Sequence, residues 1–180
     1  MIYMFLANGF EEVEALAPLD MLRRAEIEIK TVGIGAKTVV GAHNIPIVAD
    51  ITDSEFSDYE SIDMIILPGG MPGTLNLDQS DTVHKAIRAA INSNAYIGAI
   101  CAAPMILGKM GLLNGKKAVC YPGFEEYLKG AEISDQKVVS DGKIITAKGV
   151  GAAVEFGLLL VEAIKDKATA KKLRRSTISE

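Results

Sequence analysis

The sequence predicts an α/β sandwich on a largely parallel sheet, and two of its features carry that expectation. Short, nearly continuous apolar runs recur at Ile2 to Ala7, Asp63 to Leu67 and Ala95 to Ile100, and runs without polar alternation belong to strands buried on both faces. Between them, apolar residues return at helical spacing. Strands that alternate with helices build parallel sheets covered by helices on both faces. In such sheets the ligand site lies beyond the carboxyl ends of the strands. The loops after Ala7, Leu67 and Ile100 are therefore where chemistry is expected.

The first run breaks at Asn8-Gly9, and Glu11 to Arg24 follows as a helix, with acids leading and basic residues closing it as the helix dipole prefers. Val13, Leu16 and Ala17 share a face that Met21 and Leu22 extend, and Pro18 should kink the helix or restart it. Ile27 to Ile34 alternates as a second strand. Val39-Val40-Gly41 and Ile45-Pro46-Ile47-Val48 read as a small hairpin or an excursion, joined through Ala42-His43-Asn44. After Leu67, the loop Pro68-Gly69-Gly70-Met71-Pro72-Gly73 has glycines that let backbone N–H groups approach a ligand. Ser80 to Asn92 is an amphipathic helix with Val83, Ile87 and Ile91 on its stripe. Lys117 to Tyr121 reads as a short strand, Pro122 to Leu128 as a turn and short helix, and Val138 to Thr146 as two strands joined at Asp141-Gly142. Val150 to Ile164 is a strongly apolar helix. From Lys165 the chain reads as a basic surface helix with a loose tail.

With 180 residues, 49% hydrophobic and 23% charged, the chain reads as one domain over residues 1–180 with a full core. A formal net charge of −4, with no basic arm or zinc-finger spacing, argues against nucleic acid as the primary partner. No apolar run reaches membrane-spanning length, and Met1 to Leu6 lacks the charged flank of a signal peptide. A cytoplasmic location follows, with Cys101 and Cys120 as reduced thiols. No group of His, Cys and carboxylates has metal-ligand spacing, and Gly69-Gly70 lacks the dinucleotide fingerprint, so neither metal nor cofactor is expected.

The stretch Ala99-Ile100-Cys101-Ala102-Ala103-Pro104 organises the chain. A strand turning sharply into a helix exposes its turn residue in a strained position, a nucleophile elbow with Cys in place of Ser. The N-terminus of the new helix favours negative charge, so Cys101 is expected to be pushed toward thiolate. Free cysteines are also among the most buried residues, and packing alone is the competing explanation for Cys101 and the ordinary one for Cys120.

Four stretches, in order along nearly the whole chain, carry a resemblance. They are Ala7 to Glu14 with Pro18 to Ala25; Ile66-Leu67-Pro68-Gly69-Gly70; Ala99 to Pro104; and Thr146-Ala147-Lys148-Gly149 with Val154-Glu155-Phe156-Gly157. Together they resemble the ThiJ/PfpI superfamily, in the branch of the parkinsonism-associated deglycase and its bacterial ThiJ/YajL relatives. The resemblance implies a flavodoxin-like three-layer α/β sandwich, related to class I glutamine amidotransferases, and a homodimer. It implies Cys101 as the reactive cysteine, Glu14 as its partner carboxylate, and Gly70 and Ala102 as backbone oxyanion donors. Gly69, Met71, Arg24 and His43 are then the pocket-lining candidates, the last two because relatives carry basic residues there; His43 would line the site or the dimer cleft, and the alternative for Arg24 is a surface residue complementing the helix dipole.

Some departures from relatives narrow the function. Protease-like members have His directly after the cysteine, where this chain has Ala102, and amidotransferases need a downstream His that is missing here. In the deglycase branch a histidine comes from the segment before the Asp-Gly hairpin, and the resemblance implies Gly130 or Ala131 at that place. His84, on the Ser80–Asn92 helix, reads as a surface residue. The expected function is cysteine-dependent, glutathione-independent conversion of reactive dicarbonyls such as methylglyoxal to 2-hydroxy acids, with deglycation of early adducts as the same chemistry. The competing reading is a redox-sensing or chaperone-like stress protein whose Cys101 is oxidised. Thiamine-related chemistry finds no P-loop or basic phosphate cluster.

Overall fold

The computed structural model describes residues 1–179. In chain order the elements are β1 (Ile2–Leu6), α1 (Glu12–Arg24), β2 (Ile29–Gly33), β3 (Thr38–Val40), β4 (Pro46–Val48), β5 (Ile51–Thr52), β6 (Met64–Leu67), α2 (Gly73–Asp78), α3 (Asp81–Asn92), β7 (Tyr96–Ile100), α4 (Pro104–Lys109), β8 (Lys117–Ala118), β9 (Glu132–Ile133), β10 (Val138–Asp141), β11 (Ile144–Ala147), α5 (Ala153–Ile164) and α6 (Lys167–Ser176). Seven strands form the main sheet in the order β10-β11-β7-β6-β1-β2-β5, parallel throughout except for the edge strand β10.

Both faces of the sheet are covered, which is why its central strands carry no polar alternation. Tyr3, Phe5, Ile65, Leu67, Ile97 and Ala99 point into one core, under α3 and α4 with Val83, Ile87 and Ile106. Ile2, Met4, Leu6, Met64, Ile66 and Ile100 point into the other, under α1, α5 and α6 with Leu22, Phe156 and Leu173. This is the expected three-layer, flavodoxin-like sandwich.

The helix faces differ from the apolar count. Val13 is 45% exposed, and α1 instead buries Glu12, Glu14, Ala15, Pro18, Leu19, Met21 and Leu22. α1 runs unbroken through Pro18. Gly157 of α5 lies against it so closely that a Cβ there would come within 2.8 Å of the Pro18 Cα. On α3, Ser80 caps the first turn by accepting from the Val83 N–H, and Ile91 faces outward at 40% exposure. α2, β5 and β9 are too short to leave a periodic signal. The expected strand Lys117 to Tyr121 shrinks to β8, because Val119 N–H donates to the Thr146 hydroxyl instead of continuing a ladder. The β10–β11 turn is Gly142-Lys143, with Asp141 paired to Ile144. The C-terminal tail is tied down as far as Ser179, whose carbonyl accepts from Arg174 at 3.0 Å; Glu180 lies outside the described residues.

Candidate active site

The carboxyl ends of β1, β6 and β7 meet at one place, and each delivers part of the site. After β7 the chain turns at Cys101, whose φ of +64° lies in the left-handed region that favours glycine. Two hydrogen bonds hold this backbone. The Cys101 N–H donates to the Ala147 carbonyl at 2.9 Å, and its own carbonyl accepts from the Tyr121 N–H at 2.8 Å. The elbow is therefore present. Its helix, α4, starts only at Pro104 and has six residues.

The loop after β1 leads into α1, whose first turn carries the carboxylates. Glu11 is the N-cap, and its Oε2 accepts from the Glu14 N–H at 2.7 Å. Glu14 is 1% exposed, and neither carboxyl oxygen completes a hydrogen bond of ordinary geometry. The polar groups facing Glu14 are the Cys101 thiol and the N–H groups of Gly69 and Val150. After β6, Gly69 has no room for a side chain: a Cβ would sit 2.5 Å from the Cys101 Cβ and overlap Glu14 Oε2. Gly70 adopts φ +89°. Its N–H and that of Ala102 both face the Cys101 sulfur.

Burial, the leading cause, raises the Glu14 pKa to about 7; the polar thiol facing it opposes this, and the Glu11 charge adds to it. Burial, then the charge and close approach of the Glu14 carboxylate, push the Cys101 thiol up to about 12 against the pull of the Gly70 and Ala102 N–H groups. Burial first, and the Glu14 charge second, thus raise the thiol pKa against the expectation that the helix N-terminus would lower it. The two groups titrate as a coupled pair, which carries one negative charge only once the first proton has left.

The remaining candidates fall in different places. Met71 follows Gly70 at the surface and is 46% exposed. Arg24 lies at the opposite end of α1 from Glu14, paired with Asp20 at 2.6 Å in an exposed i,i+4 contact. It does not line this chain's site, because ten helical residues separate it from Glu14 by about 15 Å. His43 is bound to the buried Glu12. Its N–H and its Nδ1 each reach a Glu12 oxygen at 2.8 Å, and Glu11 Oε1 lies 3.9 Å from Nδ1. Burial raises the Glu12 pKa, but the hydrogen bonds from His43 outweigh it and hold the carboxyl below its ordinary value. The same contact raises the His43 pKa. His84 packs half-buried beside Asp78, with its Nε2 2.7 Å from the Asp78 carbonyl.

The sequence spacing hid one cluster. Glu11, Glu12 and His43 bring ligand-type atoms within 4.8 Å of one another, because the β3–β4 loop folds over the start of α1. The cluster is accounted for by capping and hydrogen bonding, and a helix N-terminus repels a cation. Tyr121 was missed. Gly130 and Ala131 do not approach Cys101; Gly130 packs against Asn114 and accepts from the Gly115 N–H. The residue of that segment beside Cys101 is Tyr121. Its ring and Glu14 Oε1 lie 3.4 and 3.6 Å from the point where a Gly149 side chain would begin. A tyrosine at the end of a short strand gave no pattern to find it by.

The fold and site together define a flavodoxin-like α/β protein with a cysteine elbow backed by a buried carboxyl. The profile described as the DJ-1/PfpI family matches residues 1–163, and the chain belongs to that family. It is 33% identical over 175 residues to Protein DJ-1 homolog B of Arabidopsis thaliana, covering 96% of this chain but only 40% of that protein's length. It is 31% identical over 181 residues to the glutathione-independent glyoxalase DJ-1 of Schizosaccharomyces pombe, covering 94% of both chains. The structure superposes on oxidised Toxoplasma gondii DJ-1 with a TM-score of 0.93 at 32% identity, over 98% of this chain and 97% of the other. No helix among the described residues is long and apolar enough to cross a membrane.

Proposed function

We propose that this protein converts reactive dicarbonyls such as methylglyoxal to 2-hydroxy acids without glutathione, using Cys101 as nucleophile and Glu14 as the proton-transferring group. One observation carries the reading: a buried carboxyl with a pKa near 7 set against an elbow cysteine. A general base works best when its pKa lies near the operating pH.

Cys101 sulfur bonds to the aldehyde carbon, and Glu14 passes the thiol proton to the aldehyde oxygen, giving a hemithioacetal. Glu14 then takes the hydrogen on that carbon as a proton, and the electron pair moves toward the neighbouring carbonyl. The proton returns at the neighbouring carbon, and the hydroxyl proton moves to the second oxygen. The first carbon is oxidised to a thioester and the second reduced to an alcohol, so the redox change is internal. Water cleaves the thioester and restores the thiol. Gly70 and Ala102 N–H groups hold the oxygen charge that develops next to sulfur. Deglycation of an early aldehyde adduct joins the same course once the hemiaminal breaks its C–N bond, its hydroxyl proton moving to the departing amine, and the aldehyde so freed is attacked by Cys101.

The homodimer is proposed on the exposed apolar residues Val13 of α1 and Val40, Ile45 and Val48 of the hairpin, which His43 holds beside α1. The test of the enzyme reading is lactate formation from methylglyoxal by wild type, Cys101→Ala and Glu14→Gln. Loss in both variants supports it. No wild-type turnover, together with ready peroxide oxidation of Cys101, transfers the site to a redox-sensing role, in which the same two N–H groups would bind a sulfinate.

A further inference from the structure

A groove that meets the Cys101 site at Gly149 is larger than a small dicarbonyl needs. Its volume is about 530 Å³, and its walls are apolar, formed by Tyr121, Pro122, Val150 and Ala152. It is an open groove rather than an enclosed cavity, and it has room along its apolar wall for a group larger than the methyl of methylglyoxal. The cleft joins the candidate active site through Gly149, where the Tyr121 ring on one side and Glu14 Oε1 on the other come within 4 Å of the missing side chain.

Tyr121 is held as a wall. Its N–H is fixed to the Cys101 carbonyl at 2.8 Å, and its ring packs edge-on to Phe124, with centroids 6.5 Å apart and planes at 74°. Yet the residue remains 51% exposed. A fixed, half-exposed ring at the mouth of a reactive site presents a flat apolar face, which favours stacking with another flat group. The charges stand at the rim: Lys148 Nζ donates to the Asp135 carbonyl at 2.9 Å, and Lys137 has no carboxylate partner among the described residues. These cations suit a substrate or product that carries a carboxylate.

We propose that this cleft is a subsite for the substituent of the carbonyl substrate, that it takes a flat apolar group such as an aryl ring, and that Tyr121 is its specificity-determining residue. The proposal rests on Cys101 being the reactive centre. It extends the substrate class from methylglyoxal to aryl-substituted 2-oxoaldehydes.

The test reads binding directly. Cys101 is alkylated with iodoacetamide and followed by intact mass, with lactate or mandelate as protectant, in wild type, Tyr121→Ala and Tyr121→Phe. Mandelate is expected to protect wild type at about tenfold lower concentration than lactate. Tyr121→Ala is expected to bring the two concentrations together, and Tyr121→Phe, which keeps the ring, to preserve the gap. No protection by either acid, equal protection of wild type by both, or a gap that survives Tyr121→Ala each overturns the subsite. Methylglyoxal turnover by the same preparations answers separately for the proposed enzyme: its absence removes that function and leaves the alkylation result standing.

Discussion

Removing the buried carboxyl should stabilise the protein, and by an amount that grows with pH. Glu14 goes from an ordinary 4.5 in the unfolded chain to about 7 in the folded one, chiefly through burial. A raised carboxyl pKa means the folded state holds its proton longer. As pH climbs from about 4.5 to 7, the unfolded chain gives up the proton first and the folded state loses ground. At 1.36 kcal/mol per pKa unit, ionised Glu14 costs about 3 kcal/mol well above pH 7 and about 1 kcal/mol near pH 5. Glu14→Gln cannot ionise. The measurement is urea unfolding of the two proteins at about pH 5 and about pH 8, both in a Cys101→Ser background so that the thiol does not titrate. Any difference in hydrogen bonding by glutamine is a constant offset. The gap between the two proteins should widen by about 2.5 kcal/mol in favour of Glu14→Gln at the higher pH. A gap that stays flat with pH would falsify the account of Glu14 as a carboxyl raised by burial.

Four further outcomes are expected. In the proposed reaction, kcat/KM rises with pH through an apparent pKa near 7; a profile with no limb in that range argues against Glu14 as base. Cys101→Ala removes dicarbonyl consumption by about a thousandfold or more, measured as lactate release. Gly157→Ala pushes a methyl group toward the Pro18 Cα and the Met21 side chain. Urea midpoints should therefore fall by the equivalent of about 1–3 kcal/mol, and an unchanged midpoint would mean α1 and α5 separate freely. Val13→Asp places a charge on the exposed apolar face of α1; light scattering should report a monomer where wild type is a dimer, and identical masses would remove that face from the interface.

Most of the fold was legible because the central strands are buried on both faces, and continuous apolar runs are what such strands require. The convergence of Glu14, Gly69, Gly70 and Cys101 followed from strand ends meeting on one side of a parallel sheet. Other features depend on contacts that local sequence does not encode. α1 looked amphipathic about Val13 and Leu16, yet its buried face includes Glu12, which His43 holds by two hydrogen bonds, and Glu14, which is buried at a cost in stability beside the thiol. Arg24 was placed at the pocket by resemblance, but the length of α1 carries it to the far end. The thiol was expected to ionise from its helix alone. Burial of the sulfur, followed by the carboxyl across the site from a residue distant in sequence, raises its pKa instead. Tyr121 shows the limit most directly: only the turn after β8, which returns the chain to the Cys101 carbonyl, reveals it.

The left-handed backbone at Cys101 has a consequence for how this sequence drifts. A side chain with a Cβ in that conformation costs about 1–2 kcal/mol, which glycine would not incur. Cys101→Gly would therefore relieve strain while deleting the sulfur. A population of variants sorted only for resistance to unfolding should accumulate glycine at this position, and one sorted for the work of the thiol should not. Two parallel selections from a single library, sequenced at codon 101, would measure how much stability this protein forgoes to hold its reactive atom in place.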